Sequence, residues 1–388
     1  MGGGSNLIRD AATAELPTWC EIDLSGLRSN VSALKQTLRL GCILGVVVKA
    51  DAYGHGMIPC AKAALSAGAG RLIVNDVAEA ARLRHAEILD DIYICGPTLA
   101  AQAAEVIKVQ ASVAVDDLSL VEALSQAATS HRRTLPVHIK VETGTHRRGV
   151  LPEDVAELAR AISQRSGLCL EGLTTHLADV EDGDDHQFAR QQVARLNEAR
   201  RRLTEAGFDE LILHAASSAA AVVLPESQFD MVRAGLLAYG LLPSETIGPR
   251  ILDRMKLTPV LSWRARLFPG APVAEGETIG YGRTYRVGSG PARRQAVLNV
   301  GYHEGFDRRR SNCGYVLTGG ERAPIRGRIC MNMSMVEPPS ELASGAVATL
   351  IGRDGGEQIW ADQIARWTST INYEVVSRIH PAIPRITH

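Results

Sequence analysis

Residues 42–56 read Cys42-Ile-Leu-Gly-Val-Val-Val-Lys-Ala-Asp-Ala-Tyr-Gly-His-Gly56. An apolar, β-branched run stops at a lysine, and two glycines close the stretch. Such a run, bounded by turn residues, reads as a buried strand. The pattern recurs. Cys42–Val48, Arg71–Val74, Asp91–Cys95, Ser112–Val115, Val137–Val141, Cys169–Thr175, Leu211–His214 and Phe229–Val232 are the expected strands. Segments of helical periodicity lie between them, including Asp76–His85, Leu118–Ala128, Pro152–Arg165 and His186–Ala206. Eight alternations imply a parallel sheet, and eight is the number that closes a (β/α)8 TIM barrel.

From about residue 255 helical periodicity gives way to Gly, Pro and alternating strands: Leu261–Leu267, Gln295–Val300, Gly314–Leu317, Ala323–Ile329 and Ala346–Ile351. Only Trp360–Trp367 looks helical there. The expected class is α/β, a TIM barrel followed by a C-terminal mainly-β domain. The expected division is a flexible leader over 1–18, the barrel over 19–250 and the β domain over 251–388.

Composition excludes several partners. The 388 residues carry 42 basic and 43 acidic side chains, a net charge of −1, which gives no electrostatic reason to expect nucleic acid or an anionic membrane. Aromatics are only 4%, sparse for a base-stacking surface. No apolar run approaches the roughly 20 residues that span a bilayer. The seven scattered cysteines lack zinc or redox-dithiol spacing, so they read as reduced and mostly buried, and no metal site is expected. Met1-Gly-Gly-Gly-Ser5 is neither apolar nor basic, unlike a signal peptide. A cytoplasmic location is expected.

In a TIM barrel the chemistry sits at the C-terminal ends of the strands. Lys49 ends the first run. If it points into the barrel mouth, burial favours its neutral, nucleophilic form; a snorkelling lysine at a strand end is the other reading. Lys140 and Thr143-Gly-Thr-His-Arg-Arg-Gly149 follow the fifth run, and Thr174-Thr-His176 ends the sixth. His214-Ala-Ala-Ser-Ser-Ala219 follows the seventh, and Met231-Val-Arg-Ala-Gly235 ends the eighth. The last two loops are where such barrels bind phosphate, and Ser217, Ser218 and amides near Gly235 are suitable donors. A lysine and a phosphate cradle at one mouth suggest pyridoxal phosphate.

Val47-Val-Lys-Ala-Asp-Ala-Tyr-Gly-His-Gly56 resembles the cofactor-attachment motif of bacterial alanine racemases. Glu21-Ile-Asp-Leu24, Ser217-Ser-Ala-Ala220, Ile279-Gly-Tyr-Gly-Arg-Thr-Tyr285, Val300-Gly-Tyr302, Gly327-Arg-Ile-Cys-Met331 and Ile371-Asn-Tyr-Glu-Val375 resemble further motifs of that family, in order. The resemblance runs from about Trp19 to Arg385.

It implies pyridoxal 5'-phosphate as cofactor and racemisation of alanine by two bases, with D-alanine feeding peptidoglycan. Lys49 would hold the cofactor and act as one base. Tyr281 would be the other, reaching the site of a partner subunit in a homodimer. Arg233 would face the pyridine nitrogen, with His176 hydrogen-bonded between Arg233 and Tyr281. Tyr53, Ser218 and Tyr373 would hold the phosphate, with backbone amides near Gly235 and Leu236. Arg147 and the amide of Met331 would receive the substrate carboxylate, and Tyr302 would line the access channel. Lys140 matches a position that is carbamylated in some members.

Five residues depart from the family pattern: Asn332 for Asp, His146 for Gly, Glu304 for Asp, Ser217 for Asn and Glu142 for Asp. Asn332 and His146 fall nearest the expected carboxylate site, which leaves a racemase of serine or a larger amino acid open as an alternative. A barrel-type decarboxylase or other lyase is a weaker one. Glu181-Asp-Gly-Asp-Asp-His186 lacks the spacing of a calcium loop and reads as the cap of the helix that follows. His138 receives no role.

Overall fold

The structure is a computed structural model and describes Thr13 and residues 15–388. Most of the expected leader, residues 1–12 and 14, lies outside the described residues. The chain divides into two compact units. One is the barrel, Ser25–Ala52 and Met57–Pro259; the other takes residues 15–24, Tyr53–Gly56 and Val260–His388. The first strand, β1 (Thr18–Ile22), pairs antiparallel with Leu261–Pro269, so residues 19–24, counted with the barrel from the sequence, lie in the β unit. Five buried residues give β1 no alternation to reveal which sheet it joins.

The barrel strands are β2 (Ile43–Val47), β3 (Arg71–Val74), β4 (Ile92–Ile94), β5 (Ser112–Val115), β6 (Leu135–Lys140), β7 (Leu168–Thr174), β8 (Ile212–His214) and β9 (Met231–Ala234). Parallel pairing runs β8-β7-β6-β5-β4-β3-β2-β9. The remaining seam, between β8 and β9, is closed by Asp230 N–H to Leu213 O at 3.0 Å and Arg233 N–H to Ala216 O at 3.0 Å. Val46, Leu72, Ile73, Ile94, Val113, Val115, Val137, Ile139 and Val232 are almost wholly buried, as a parallel sheet covered on both faces requires. Eight expected strands thus appear as eight. Even the short Ser112–Val115 keeps its boundaries, because all four residues are buried. The last strand is shifted toward its C-terminus, which places Arg233 inside β9.

The β unit holds β10 (Leu261–Pro269), β11 (Thr278–Ile279), β12 (Tyr285–Arg286), β13 (Ala296–Leu298), β14 (Tyr315–Thr318), β15 (Glu321–Pro324), β16 (Ser334–Val336), β17 (Ala346–Asp354), β18 (Glu357–Ile359) and β19 (Arg385–Thr387). Its main sheet runs β15-β14-β17-β10-β1-β19. Along β10 the buried Leu261, Trp263, Ala265 and Leu267 alternate with less buried neighbours, a period of two. The expected strand Ala323–Ile329 ends early. Gly327 has φ +77°, and a Cβ there would lie 2.7 Å from the Ile279 carbonyl oxygen. A second helix, Asn372–Ser377, follows Ala361–Thr368 and is too short to show a period in the sequence.

All seven cysteines are free thiols, but only Cys20 and Cys60 are fully buried, and Cys169 is exposed. Burial pushes the Cys20 thiol up to about 12, keeping it protonated. Among the described residues no helix is long and apolar enough to cross a membrane.

Candidate active site

Three neighbouring strands, β8, β9 and β2, bring candidate groups to one end of the barrel. β2 and β9 run parallel, with Gly45 opposite Arg233 and Val46 opposite Ala234. Lys49 lies two residues past β2 and is half-buried. Gly235 follows β9 directly, and Ser218 lies four residues beyond β8. Ser218 Oγ accepts the amide of Gly235 at 2.8 Å and that of Leu237 at 3.4 Å, leaving its own hydroxyl hydrogen to donate.

The chain leaves Lys49 through an uncommon turn. Ala50, Asp51, Ala52 and Tyr53 all have φ between 51° and 57°, four consecutive left-handed residues without a glycine. Such a run costs roughly 1–2 kcal/mol per residue, so its neighbours must hold it. Glu79 accepts the amides of Ala50 and Asn75 at 2.7 Å each. Asp51 accepts the amide of Met57 at 3.1 Å and pairs with Arg82 at 2.9 Å.

Arg233 is buried and meets five acceptors. Nη1 donates to His214 Nδ1 at 2.6 Å and Thr174 Oγ1 at 3.2 Å. Nη2 donates to Thr175 O at 2.7 Å and Ala215 O at 3.1 Å, and faces His176 Nδ1 at 3.4 Å. None of these acceptors is a carboxylate, and Nε–H has no partner among the described residues. Burial, with Arg233, Lys140, Arg147 and Lys49 nearby, pushes the His176 imidazole well below its usual range, so it is neutral. Burial, Arg233 and Arg147 push the Lys140 amine down to about 7.

Arg147 is exposed on the loop after β6. Glu142 shapes that loop by accepting the amides of Gly144 and Arg147. His146, beside Arg147, sits at φ +50°, where the family pattern has a glycine. Gln192 is fully buried beneath, donating to His176 O at 3.1 Å and accepting the amide of Ala178 at 2.8 Å.

The β unit presents its own candidates. β11 and β12 form a hairpin whose turn, with positive φ at Gly280, Gly282 and Arg283, carries Tyr281 at its tip. Tyr281 is 72% exposed. Tyr302 and Met331 are held side by side, Tyr302 N–H to Cys330 O at 3.0 Å and His303 N–H to Met331 O at 2.9 Å. Glu304 accepts the Gly301 amide at 2.8 Å and the Asn332 side-chain amide at 2.8 Å. The rings of Tyr53 and Tyr373 lie 5.9 Å apart. Among the described residues no cluster of His, Cys, Asp or Glu could hold a metal ion.

Residues 22–243 match the family model described as alanine racemase, N-terminal domain, and residues 260–387 match alanine racemase, C-terminal domain. The chain belongs to the alanine racemase family. It is 39% identical to the alanine racemase of Desulfovibrio desulfuricans over 95% of this chain and 98% of that one. The crystal structure of alanine racemase from E. faecalis superposes with a TM-score of 0.89 at 32% identity, covering 96% of this chain and 98% of the other. The Streptomyces coelicolor A3(2) enzyme gives 0.89 at 32% identity, covering 97% and 99%.

In the sequence of this alanine racemase family member, Arg71, His138, Glu171, Gln192 and His214 carry no site role. All but Glu171 are buried, and each is a polar residue in an apolar strand or on a helix face. That interruption was the available signal. Within Arg308-Arg-Arg310, Arg310 is buried, its guanidinium 4.3 Å from the Phe306 ring centre.

Proposed function

We propose that this chain is a pyridoxal-phosphate-dependent racemase that interconverts L- and D-alanine as a homodimer, supplying D-alanine for peptidoglycan in the cytoplasm. The observation that carries the cofactor assignment is Arg233: a buried guanidinium, solvated by neutral acceptors, with one N–H left over. Its neighbours fit the same group. Ser218 and Gly235 suit a phosphate on the adjoining loops, and Lys49 lies two residues past the adjoining strand β2.

When bound, the cofactor supplies the electron-withdrawing ring that acidifies the Cα proton of the amino acid. This chain's residues do the rest. Lys49 and Tyr281 are the two bases, one for each face of Cα, because racemisation removes a proton from one side and delivers one to the other. Arg233 does not give up its proton at accessible pH, so it keeps the ring nitrogen unprotonated and disfavours transamination. Arg147 and the Met331 amide take the substrate carboxylate, and Tyr302 lines the access channel. Tyr53, Ser218 and Tyr373 take the phosphate, with the Leu236 amide and, once Ser218 Oγ releases it, that of Gly235. His176 orients the tyrosine base.

The dimer reading rests on exposure. Tyr281, Met331, Met333, Tyr302 and Ile371, five large side chains, all stand exposed on the β unit. A second copy would cover them and receive Tyr281. The carbamylation reading rests on Lys140, whose amine is substantially neutral near pH 7 and so can add carbon dioxide. Its carbamate would face Arg147.

Incubation with L-alanine, L-serine and L-lysine in deuterated water tests the reaction. Deuterium at Cα together with the D-enantiomer, fastest for alanine, is expected. Preference for serine or lysine would reassign the substrate, and carbon dioxide release without the D-enantiomer would overturn the racemase reading. Mixing Lys49→Ala and Tyr281→Phe chains should restore activity if the sites are shared, and rescue of a D-alanine auxotroph tests the peptidoglycan role.

A further inference from the structure

Behind Arg233 a chain of buried polar side chains runs through the barrel interior. His214 Nδ1 accepts from Arg233 at 2.6 Å. His214 Nε2 meets His138 Nδ1 at 2.9 Å, and His138 Nε2 meets Glu171 Oε2 at 2.6 Å. Arg71 closes the far end with bonds to both oxygens of Glu171, at 2.9 and 3.1 Å, and its Nη1 lies a longer 3.4 Å from His138 Nε2. His138 and His214 have no exposure to solvent.

One constraint fixes the direction of every bond. A guanidinium has five donors and no acceptor, so His214 Nδ1 must be the bare nitrogen. The neutral ring then carries its proton on Nε2 and donates to His138 Nδ1. That makes His138 the Nε2–H tautomer as well, donating to a carboxylate that only accepts. Protonating either ring would set two N–H groups against each other. The surroundings agree. Burial and the Arg71 and Arg233 charges lower both imidazoles despite the help Glu171 gives His138. Burial opposes ionisation of Glu171, but the bonds from His138 and Arg71 win and hold the carboxyl at about 2. The other groups facing the chain are Tyr93, whose ring lies 4.8 and 5.2 Å from the two imidazoles, Thr174, Cys95, Lys140 and Arg147.

The local backbone is shaped for this arrangement. The β6–β7 register shifts between Val137 and His138, so that Val137 pairs with Leu170 and His138 with Gly172. Glu171 is the extra residue of that bulge, a device that re-aims a side chain.

We propose that Glu171, His138 and His214 form a one-way hydrogen-bond relay that holds Arg233 with its Nε–H free toward the cofactor's ring nitrogen. Glu171 is then a positioning residue for racemisation, acting through two histidines on a guanidinium it does not touch. The role, though not the relay, rests on the racemase reading above.

The test uses the full chain labelled with 15N-histidine. Two buried, neutral Nε2–H tautomers are expected from about pH 6 to about pH 9; an Nδ1–H tautomer or a protonated ring at either position overturns the relay, whatever the enzyme does. Glu171→Gln removes the terminal anion while keeping its shape. It should shift the His214 resonances and raise transamination per turnover. It should also lower kcat roughly tenfold with little change in KM, the order of one hydrogen bond to a charged group. If Glu171→Gln alters only the melting temperature, the residue is structural and the positioning role fails. His138→Phe is the second variant: it interrupts the relay and leaves Glu171 paired to Arg71, and should give the same rise in transamination. No racemisation by the unaltered chain would instead sink the racemase reading and leave the tautomer result standing.

Discussion

Asn332 donates its side-chain amide to Glu304 at 2.8 Å, and Glu304 also accepts the amide of Gly301 at 2.8 Å. Both residues depart from the family pattern, and the contact makes them one feature, a neutral donor facing a longer carboxylate. Together they tie the segment carrying Tyr302 to the one carrying Met331.

Asn332→Asp should therefore set two carboxylates within hydrogen-bonding distance. Like charges so close raise one of the pKa values. A carboxyl whose folded pKa is raised contributes a penalty that grows as pH rises through its unfolded value. Loss of stability should be about 1 kcal/mol or less near pH 8, since Asn332 is exposed, and smaller near pH 5. Urea denaturation at the two pH values measures it, and adding Glu304→Gln should abolish the difference.

Lys140 gives a dependence of the opposite sign. Its folded value is about 7 against an ordinary 10.5, chiefly because burial disfavours the charge. Between those values the unfolded chain binds the extra proton, so stability rises with pH across the window. The penalty is fully present below about 7. In buffers free of carbon dioxide, the melting temperature of the unaltered chain should climb from about pH 7 to about pH 9 relative to Lys140→Met. Adding 13C-bicarbonate should produce a carbamate carbon signal that Lys140→Met lacks, and its absence would remove carbamylation from the mechanism.

The turn after Lys49 predicts an inversion of ordinary glycine behaviour. Ala50 is exposed with φ +51°, so Ala50→Gly relieves left-handed strain without opening a cavity. The variant should be more stable by up to about 1 kcal/mol, where the same change in a right-handed helix would destabilise by a similar amount. Glu79→Ala should do the reverse. It strands the amides of Ala50 and Asn75 and should lower stability by about 1–3 kcal/mol. Thermal melts of the two variants decide the sign in each case.

What the sequence made legible follows from how far each signal reaches. The barrel strands could be read because most are local runs of buried apolar residues, and the motif around Lys49 because its residues are contiguous. β1 could not be read as part of the β unit, since its partner, Leu261–Pro269, is more than two hundred residues away. Arg233 could be singled out at a strand end, but its five acceptors come from β7, β8 and the segments after them. Glu171 could not be found at all: its inward aim depends on a bulge that exists only once β6 and β7 pair. Lys140 reads in the sequence only as a strand-end lysine, and its lowered amine comes from burial first and then from the Arg233 and Arg147 guanidinia, which only the folded barrel brings to it.

Gly172 tests the buried relay from its backbone side. A Cβ at that position would lie 2.2 Å from His138 Nδ1, 2.6 Å from His138 Cε1 and 2.6 Å from the Ile212 carbonyl oxygen. Neither neighbour can yield. The imidazole is bonded at both ends, to His214 and Glu171, and the carbonyl belongs to the adjoining strand β8. Gly172→Ala should therefore destabilise by about 1–3 kcal/mol, as overpacking of a filled interior does. The displaced ring should lose its contact with His214, so the histidine resonances should shift together and transamination should rise as in Glu171→Gln. A Gly172→Ala chain with unchanged melting temperature and unshifted histidines would mean that His138 does not occupy the position against which the whole relay is built.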